Sequence, residues 1–352
     1  MAVHRMYNGA IISKKEAYIM KYQTIPHTDL KASAIVLGTW GLGGGSVWSD
    51  EQPDEKTASA LLDTAEQCGI NYIDTAPVYG MGTSETLLGK ALKGRRDKFI
   101  LQSKVSLNWR NEKGGTFKYE RDGYTVNNDT SAAAIRKDLE GSLLRLGTDH
   151  LDIAVVHYVN DSITPVQETM ETLNELIKEG KIKAAALSNS KPQDYENYEK
   201  YGHISLVQEQ FSLLAPYHGY DYFPHLQKDH TIFQVYGALE EGILTSRSYV
   251  QRPFAQGDIR ARLPWSQEAE KTEYDQFFDL LEEMAAAHNC SIANLIEAWT
   301  LTQYPDISLL IGMRHPSTML DTCHCLSLHL TKEETDAMEA AARSLQRKDL
   351  DK

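Results

Sequence analysis

Short apolar runs alternate with longer stretches of mixed apolar and polar residues along this chain, and the alternation recurs about eight times. The short runs are rich in β-branched residues and fall near 34–38, 71–75, 98–104, 151–157, 182–187, 204–208, 231–236 and 307–311, which predicts strands. The longer stretches, among them 57–68, 84–93, 131–146, 165–179 and 276–288, space their apolar residues for one face of a helix. A last helix is predicted over 331–346. Thr331 is followed three residues later by Glu334, the spacing at which two side chains cap a first turn reciprocally.

Strands that alternate with helices pair in parallel, in either an open doubly wound sheet or a closed barrel. Eight repeats without a composition break favour an α/β protein of the (β/α)8 TIM-barrel class, one domain over 20–352. An open sheet would want a glycine-rich dinucleotide turn. Gly41, Gly43, Gly44 and Gly45 offer one, but the third glycine position is Ser46 and no apolar helix opens behind it. The run is therefore expected to be a flexible first loop at the barrel mouth. Two further segments, 105–128 after the third strand and 246–272 after the seventh, are expected as long functional loops. Residues 1–19 are expected to be an extension, because Met20-Lys21-Tyr22 reads like a second start.

Composition narrows the partners. A net charge of −13 argues against nucleic acid or an anionic membrane surface, and no run approaches the length of a membrane span. Four cysteines, with no secretory leader, fit a reducing cytoplasm. Oligomeric state is not legible.

Chemistry gathers where strands end. The second strand leaves at Asp74, with Tyr79 five residues on; the third ends in Lys104 and the fourth in His157. A carboxylate, a phenol, an ammonium and an imidazole on neighbouring strand ends suit protonation of a carbonyl oxygen. A lysine beside a phenol should lower its pKa, Asp74 would hold the lysine, and His157 would orient the substrate oxygen.

The run Asp74-Thr75-Ala76-Pro77-Val78-Tyr79-Gly80, followed by Ser84-Glu85 and Leu88-Gly89, resembles the aldo-keto reductase signature. With Lys104 and His157 it completes that family's catalytic tetrad. The second long loop, with Gly257-Asp258-Ile259-Arg260, is more similar to the bacterial and potassium-channel β-subunit branches. The resemblance implies that Ser188, Asn189 and Gln208 hold a nicotinamide carboxamide and that Tyr236 stacks on its ring. It also implies cofactor contacts from Gly38, Thr39, Trp40, Gly237, Leu239, Gly242, Arg247, Gly312, Arg314 and Asp321. Trp48, Trp109 and Tyr158 would wall the substrate. Departures from the family pattern fall at Ala186, Gly237-Ala238, Thr318 and Thr322. Arg314 alone favours NADP(H) over NAD(H), as a partner for a 2′-phosphate.

The expected activity is nicotinamide-dependent reduction of an aldehyde or ketone, such as a sugar or other polyhydroxylated carbonyl, or oxidation of the matching alcohol. A nucleotide-binding sensor subunit with little turnover is the rival reading, and a non-redox lyase or isomerase the third. No metal is expected. Cys323-His324-Cys325 sits on a helix whose neighbouring side chains diverge, and Glu282 and Glu283 read as solvated. Trp299 reads as core.

Overall fold

A computed structural model describes residues 18–45, 52–110, 114–250, 253–254, 258–262 and 272–347. Eight parallel strands close into a barrel: β1 (Ile35–Gly38), β2 (Tyr72–Asp74), β3 (Ile100–Val105), β4 (Ile153–Val156), β5 (Ala184–Ser188), β6 (Leu206–Gln210), β7 (Ile232–Tyr236) and β8 (Ile307–Gly312). Each pairs with the next, and β8 returns to β1. This is the closed sheet that the eightfold alternation predicts.

Side chains alternate along each strand, so one set points inward and the other meets the helices. On β3, Ile100, Gln102 and Lys104 share the inner face, while Leu101 joins the outer core. On β2, Tyr72 and Asp74 lie inside and Ile73 outside. The lower interior is apolar, with Val36, Ile153, Val155 and Leu206 among its members. Above it the filling turns polar.

The helices close the outside in ways the sequence announces. Helix α1 (Glu55–Cys68) starts on Asp54, whose side chain accepts from Thr57 N, and stops at Gly69 with φ 75°. Helix α2 (Thr83–Leu92) follows β2, and α3 (Ala132–Leu146) is capped by Ser131. After α4 (Val166–Lys178), α5 (Pro192–Glu199), α6 (Tyr217–Leu226), α7 (Thr272–Ala287), α8 (Ile292–Thr302) and α9 (Pro316–Cys323) comes α10 (Lys332–Ala342). Both bonds of the predicted Thr331–Glu334 capping box are present. Trp299 is fully buried, as expected of core. A short antiparallel hairpin, Tyr22–Thr24 with Lys31–Ser33, covers the other end of the barrel, and Gln23 donates to Ile307 O at the start of β8.

The segment 105–128 departs from expectation. Leu107–Asn108, Thr116–Arg121 and Tyr124–Asn128 form a three-stranded antiparallel sheet above the mouth. Its turn is Asp122-Gly123, both with positive φ (51° and 80°), which is what a two-residue hairpin loop needs. Asn128 Nδ2 donates to Asn160 O at 2.9 Å and fixes its base. In 246–272, a short helix (Arg247–Val250) and a 3-10 turn (Ile259–Arg262) replace loop, and most of the remainder lies outside the described residues.

The glycine run is not a slack loop either. Trp40–Gly43 forms a 3-10 turn pressed against the loop after β2: a Cβ at Gly80 would stand 1.9 Å from Gly43 O. Among the described residues, no helix is long and apolar enough to cross a membrane.

Candidate active site

Inward alternation on β2 and β3 brings Asp74 and Lys104 together. Lys104 Nζ donates to both carboxylate oxygens of Asp74 at 2.7 Å, to Thr75 O at 2.9 Å, and to the Tyr79 hydroxyl at 3.1 Å. Both charged side chains are only 1% exposed. Two charges withdrawn from water need close geometry and further hydrogen bonds to persist. Asp74 Oδ1 has them, accepting also from Gln102 Nε2 at 2.7 Å and Gln208 Nε2 at 2.9 Å. Both amides then meet Gln234 Oε1, and Gln102 Oε1 accepts from the Tyr72 hydroxyl. The carboxylate is thus seated on a plug of amides that fills the upper barrel.

Tyr79 is delivered by the loop between β2 and α2. Ser84 and Glu85 hold that junction from below: Ser84 Oγ donates to Thr39 O at 3.0 Å, and Glu85 accepts from Ser103 Oγ and Arg145 Nε. Burial pushes the Tyr79 phenol well above its ordinary range, and the charge of Asp74 adds to the rise. The net direction is opposite to the lowering expected from Lys104, and burial is its largest cause. Lys104 is itself lowered by burial and restored in part by Asp74. At neutral pH the phenol is therefore protonated, with Lys104 Nζ at its oxygen.

His157 lines the same cavity, its ring 6.3 Å from that of Tyr79, centroid to centroid. Burial, together with the positive charges of Lys104 and Lys118, pushes it well below the ordinary imidazole range, so the ring is neutral. Its Nδ1 is buried without a partner. The tautomer with its proton on Nε2 avoids burying an unpaired N–H.

The cavity measures about 560 Å³ and is walled by Asp74, Tyr79 and His157, with Lys104 behind Tyr79. Gly38, Thr39, Trp40, Ser188, Asn189, Gln208, Tyr236, Gly237, Leu239, Gly242, Gly312, Arg314 and Tyr158 all line it too. Asn189, in a left-handed backbone conformation (φ 52°), donates to His157 O at 2.8 Å and accepts from the Tyr236 hydroxyl at 2.7 Å. Behind it, Ser190 donates N–H and O–H to buried Glu209, fixing the turn. These residues fit a nicotinamide carboxamide: Gln208 uses both amide hydrogens within the barrel and leaves Oε1 as acceptor. The glycines of the wall expose backbone to the cavity. Arg314 lies across Gly41, where a Cβ would stand 2.3 Å from its Cγ.

Other expected contacts lie elsewhere. Arg247 is turned outward to Asp275, Asp279 and Glu282, away from the cavity wall. Asp321 sits on α9, accepting from Ser291 Oγ at 3.0 Å, and does not reach the wall. Trp109 is not on the wall; its Nε1 donates to Pro77 O and its ring meets Tyr124 edge-on, so it braces the Tyr79 loop. Trp48 lies outside the described residues. Thr322 turns from the cavity to donate to Glu297, whereas Thr318 lines it. Tyr119, Arg121, Tyr249 and Arg260 line the cavity, although no sequence motif marks them as site residues. The Asp122-Gly123 turn is the signal that could have found the first two. Among the described residues, no group of His, Cys, Asp and Glu could hold a metal.

The aldo/keto reductase family profile matches residues 34–343. The NADH-specific methylglyoxal reductase of Escherichia coli (strain K12) is 32% identical over 331 residues, spanning 93% of this chain and 100% of that protein. Aldo-keto reductase YhdN of Bacillus subtilis (strain 168) is 32% identical over 303 residues, or 85% and 87% of the two chains. Among solved structures, the glycerol dehydrogenase AKR11B4 of Gluconobacter oxydans superposes with a TM-score of 0.81 at 30% identity, covering 92% of this chain and 95% of its own. The profile match over most of the barrel, and relatives aligned nearly end to end, make this chain a member of the aldo/keto reductase family.

Proposed function

We propose that this chain reduces a short polar aldehyde or ketone at the expense of a reduced nicotinamide nucleotide, with Tyr79 as general acid. Carbonyl reduction with a nicotinamide cofactor is the chemistry of its family. The observation that carries the assignment of roles is the single ammonium shared between the Asp74 carboxylate and the Tyr79 hydroxyl.

When bound, a reduced nicotinamide would supply the hydride for the carbonyl carbon. Tyr79 and His157 line the same cavity, and a carbonyl oxygen placed between them accepts from the phenol and from the imidazole Nε2–H. Tyr79 gives its proton as negative charge gathers on that oxygen. Lys104 stabilises the phenolate left behind, and Asp74 with its amide supports keeps Lys104 charged. In the reverse direction the same phenolate removes the alcohol proton.

Arg314 supports NADP(H) over NAD(H), since its guanidinium matches a 2′-phosphate. The relatives named for methylglyoxal and glycerol both act on three-carbon polar molecules, which supports a substrate of that class here. The test is fluorescence titration with NADPH and NADH, then cofactor consumption against methylglyoxal, glyceraldehyde and butanal. Binding with turnover is expected. Tight binding with no turnover on any carbonyl would move the assignment to a nucleotide sensor, and no binding would overturn it.

A further inference from the structure

The hairpin over the mouth carries cations that the reductase chemistry does not use. Arg121 ends the first long strand of that hairpin, is half-buried, and lines the cavity. Its guanidinium lies 4.8 Å from the Tyr119 ring centroid, and no carboxylate among the described residues pairs with it. Arg260, the cavity's other cation from a long segment, is closed by Asp258. Lys118 is the extra residue where pairing slips between Phe117 and Tyr119, so it leaves the alternation of its strand. Its ammonium sits 3.6 Å from the ring centroid of Tyr158, a wall residue beside His157. Lys118 is largely exposed, yet partial desolvation lowers its pKa, and its charge reaches His157. Two carboxylates also line the cavity, but Asp74 is closed by Lys104 and Glu241 comes from the segment after β7. On a chain of net charge −13, two cations at the mouth without carboxylate partners among the described residues leave a local field suited to an anion.

We propose that Arg121 and Lys118 form an anion subsite, and that the substrate is a short carbonyl compound bearing a terminal carboxylate or phosphate. This rests on the reductase reading. Tyr79 and His157 take the carbonyl oxygen, and Arg121 takes the anion by charge-assisted hydrogen bonds.

The experiment compares kcat/KM with NADPH for two matched pairs: 4-oxobutanoate against butanal, and glyceraldehyde 3-phosphate against glyceraldehyde. The readout is the anionic-to-neutral ratio in the parent, Arg121→Gln, Arg121→Glu and Lys118→Met. Arg121→Gln should lower the ratio about 10- to 100-fold, the range for one charge-assisted contact, and Arg121→Glu further. The pair that responds identifies carboxylate or phosphate. In the parent, added salt should raise KM for the anionic member more than for the neutral one, which needs no variant to fold. Ratios unchanged within about twofold across the variants, with a flat salt response, would overturn the subsite while leaving the reductase intact. Absence of turnover with all four carbonyls would overturn the reductase reading and this assignment with it.

Discussion

Gln102 donates its side-chain amide to Asp74 Oδ1 at 2.7 Å, so the carboxylate that holds Lys104 is itself held from within the barrel. The two residues are register partners on β3 and β2. Replacing Gln102 by Met removes one of the donors that favour the ionised carboxylate. The ion pair loses a support, and kcat/KM should therefore fall roughly tenfold at neutral pH. An unchanged kcat/KM would assign Gln102 to packing alone.

Tyr79→Phe removes the proton while keeping the ring. Reductase kcat should fall by about 100-fold or more, the usual weight of general acid catalysis, while nucleotide still quenches fluorescence. Turnover near that of the parent would move the acid to another group.

Arg314→Ala should weaken NADPH binding about 10- to 100-fold and NADH binding much less, because only the first carries the 2′-phosphate. Equilibrium titration of both nucleotides decides it. An unchanged ratio would place the phosphate elsewhere.

Gly80→Ala tests the contact between the first loop and the Tyr79 loop. The backbone there has φ 62°, and the added Cβ would meet Gly43 O. The left-handed conformation alone should cost about 1–2 kcal/mol, and displacing Tyr79 should lower kcat about 10- to 100-fold. Gly94→Ala is the control: its φ is 79°, but nothing lies within 4 Å of the new Cβ. Urea unfolding and kcat of both variants should separate strain from displacement. Equal losses would show that the contact does not hold Tyr79 in place.

Glu297 is fully buried on α8, and burial pushes its carboxyl up to about 8. Its folded value lies above its ordinary one, so its stabilising contribution is complete below about pH 4.5 and is lost as pH rises through about 8. At about 1.4 kcal/mol for each pH unit between the unfolded and folded values, that loss amounts to a few kcal/mol. The midpoint of thermal unfolding should fall between about pH 5 and pH 8 and level off above it. Glu297→Gln has no proton to lose and should fall less, and parallel falls in the two proteins would refute the account.

Much of this was legible because barrels end their strands at one rim. Asp74, Lys104 and His157 could be placed as neighbours from strand order alone, and much of the cavity wall followed the family motifs. The amide plug was not legible. In one dimension, Gln102 and Gln234 are polar interruptions of apolar strands, and only closure turns them toward each other. Trp109, Arg247 and Asp321 failed for a related reason: position after a strand says which rim a residue joins, not which way its side chain turns. Each found a nearer partner, in Pro77 O, in the acids of α7 and in Ser291.

The hairpin above the mouth has a consequence for how such enzymes diverge. Its strand between Thr116 and Arg121 shows one face to the cavity, and which face depends on the parity of the chain rather than on its composition. Inserting a single residue between Tyr119 and Glu120 would carry Glu120 one place along the strand, to where Arg121 now stands. The sign of the charge at the entrance can thus be exchanged by a change in length, with all eight strands and every group that moves a proton left in place.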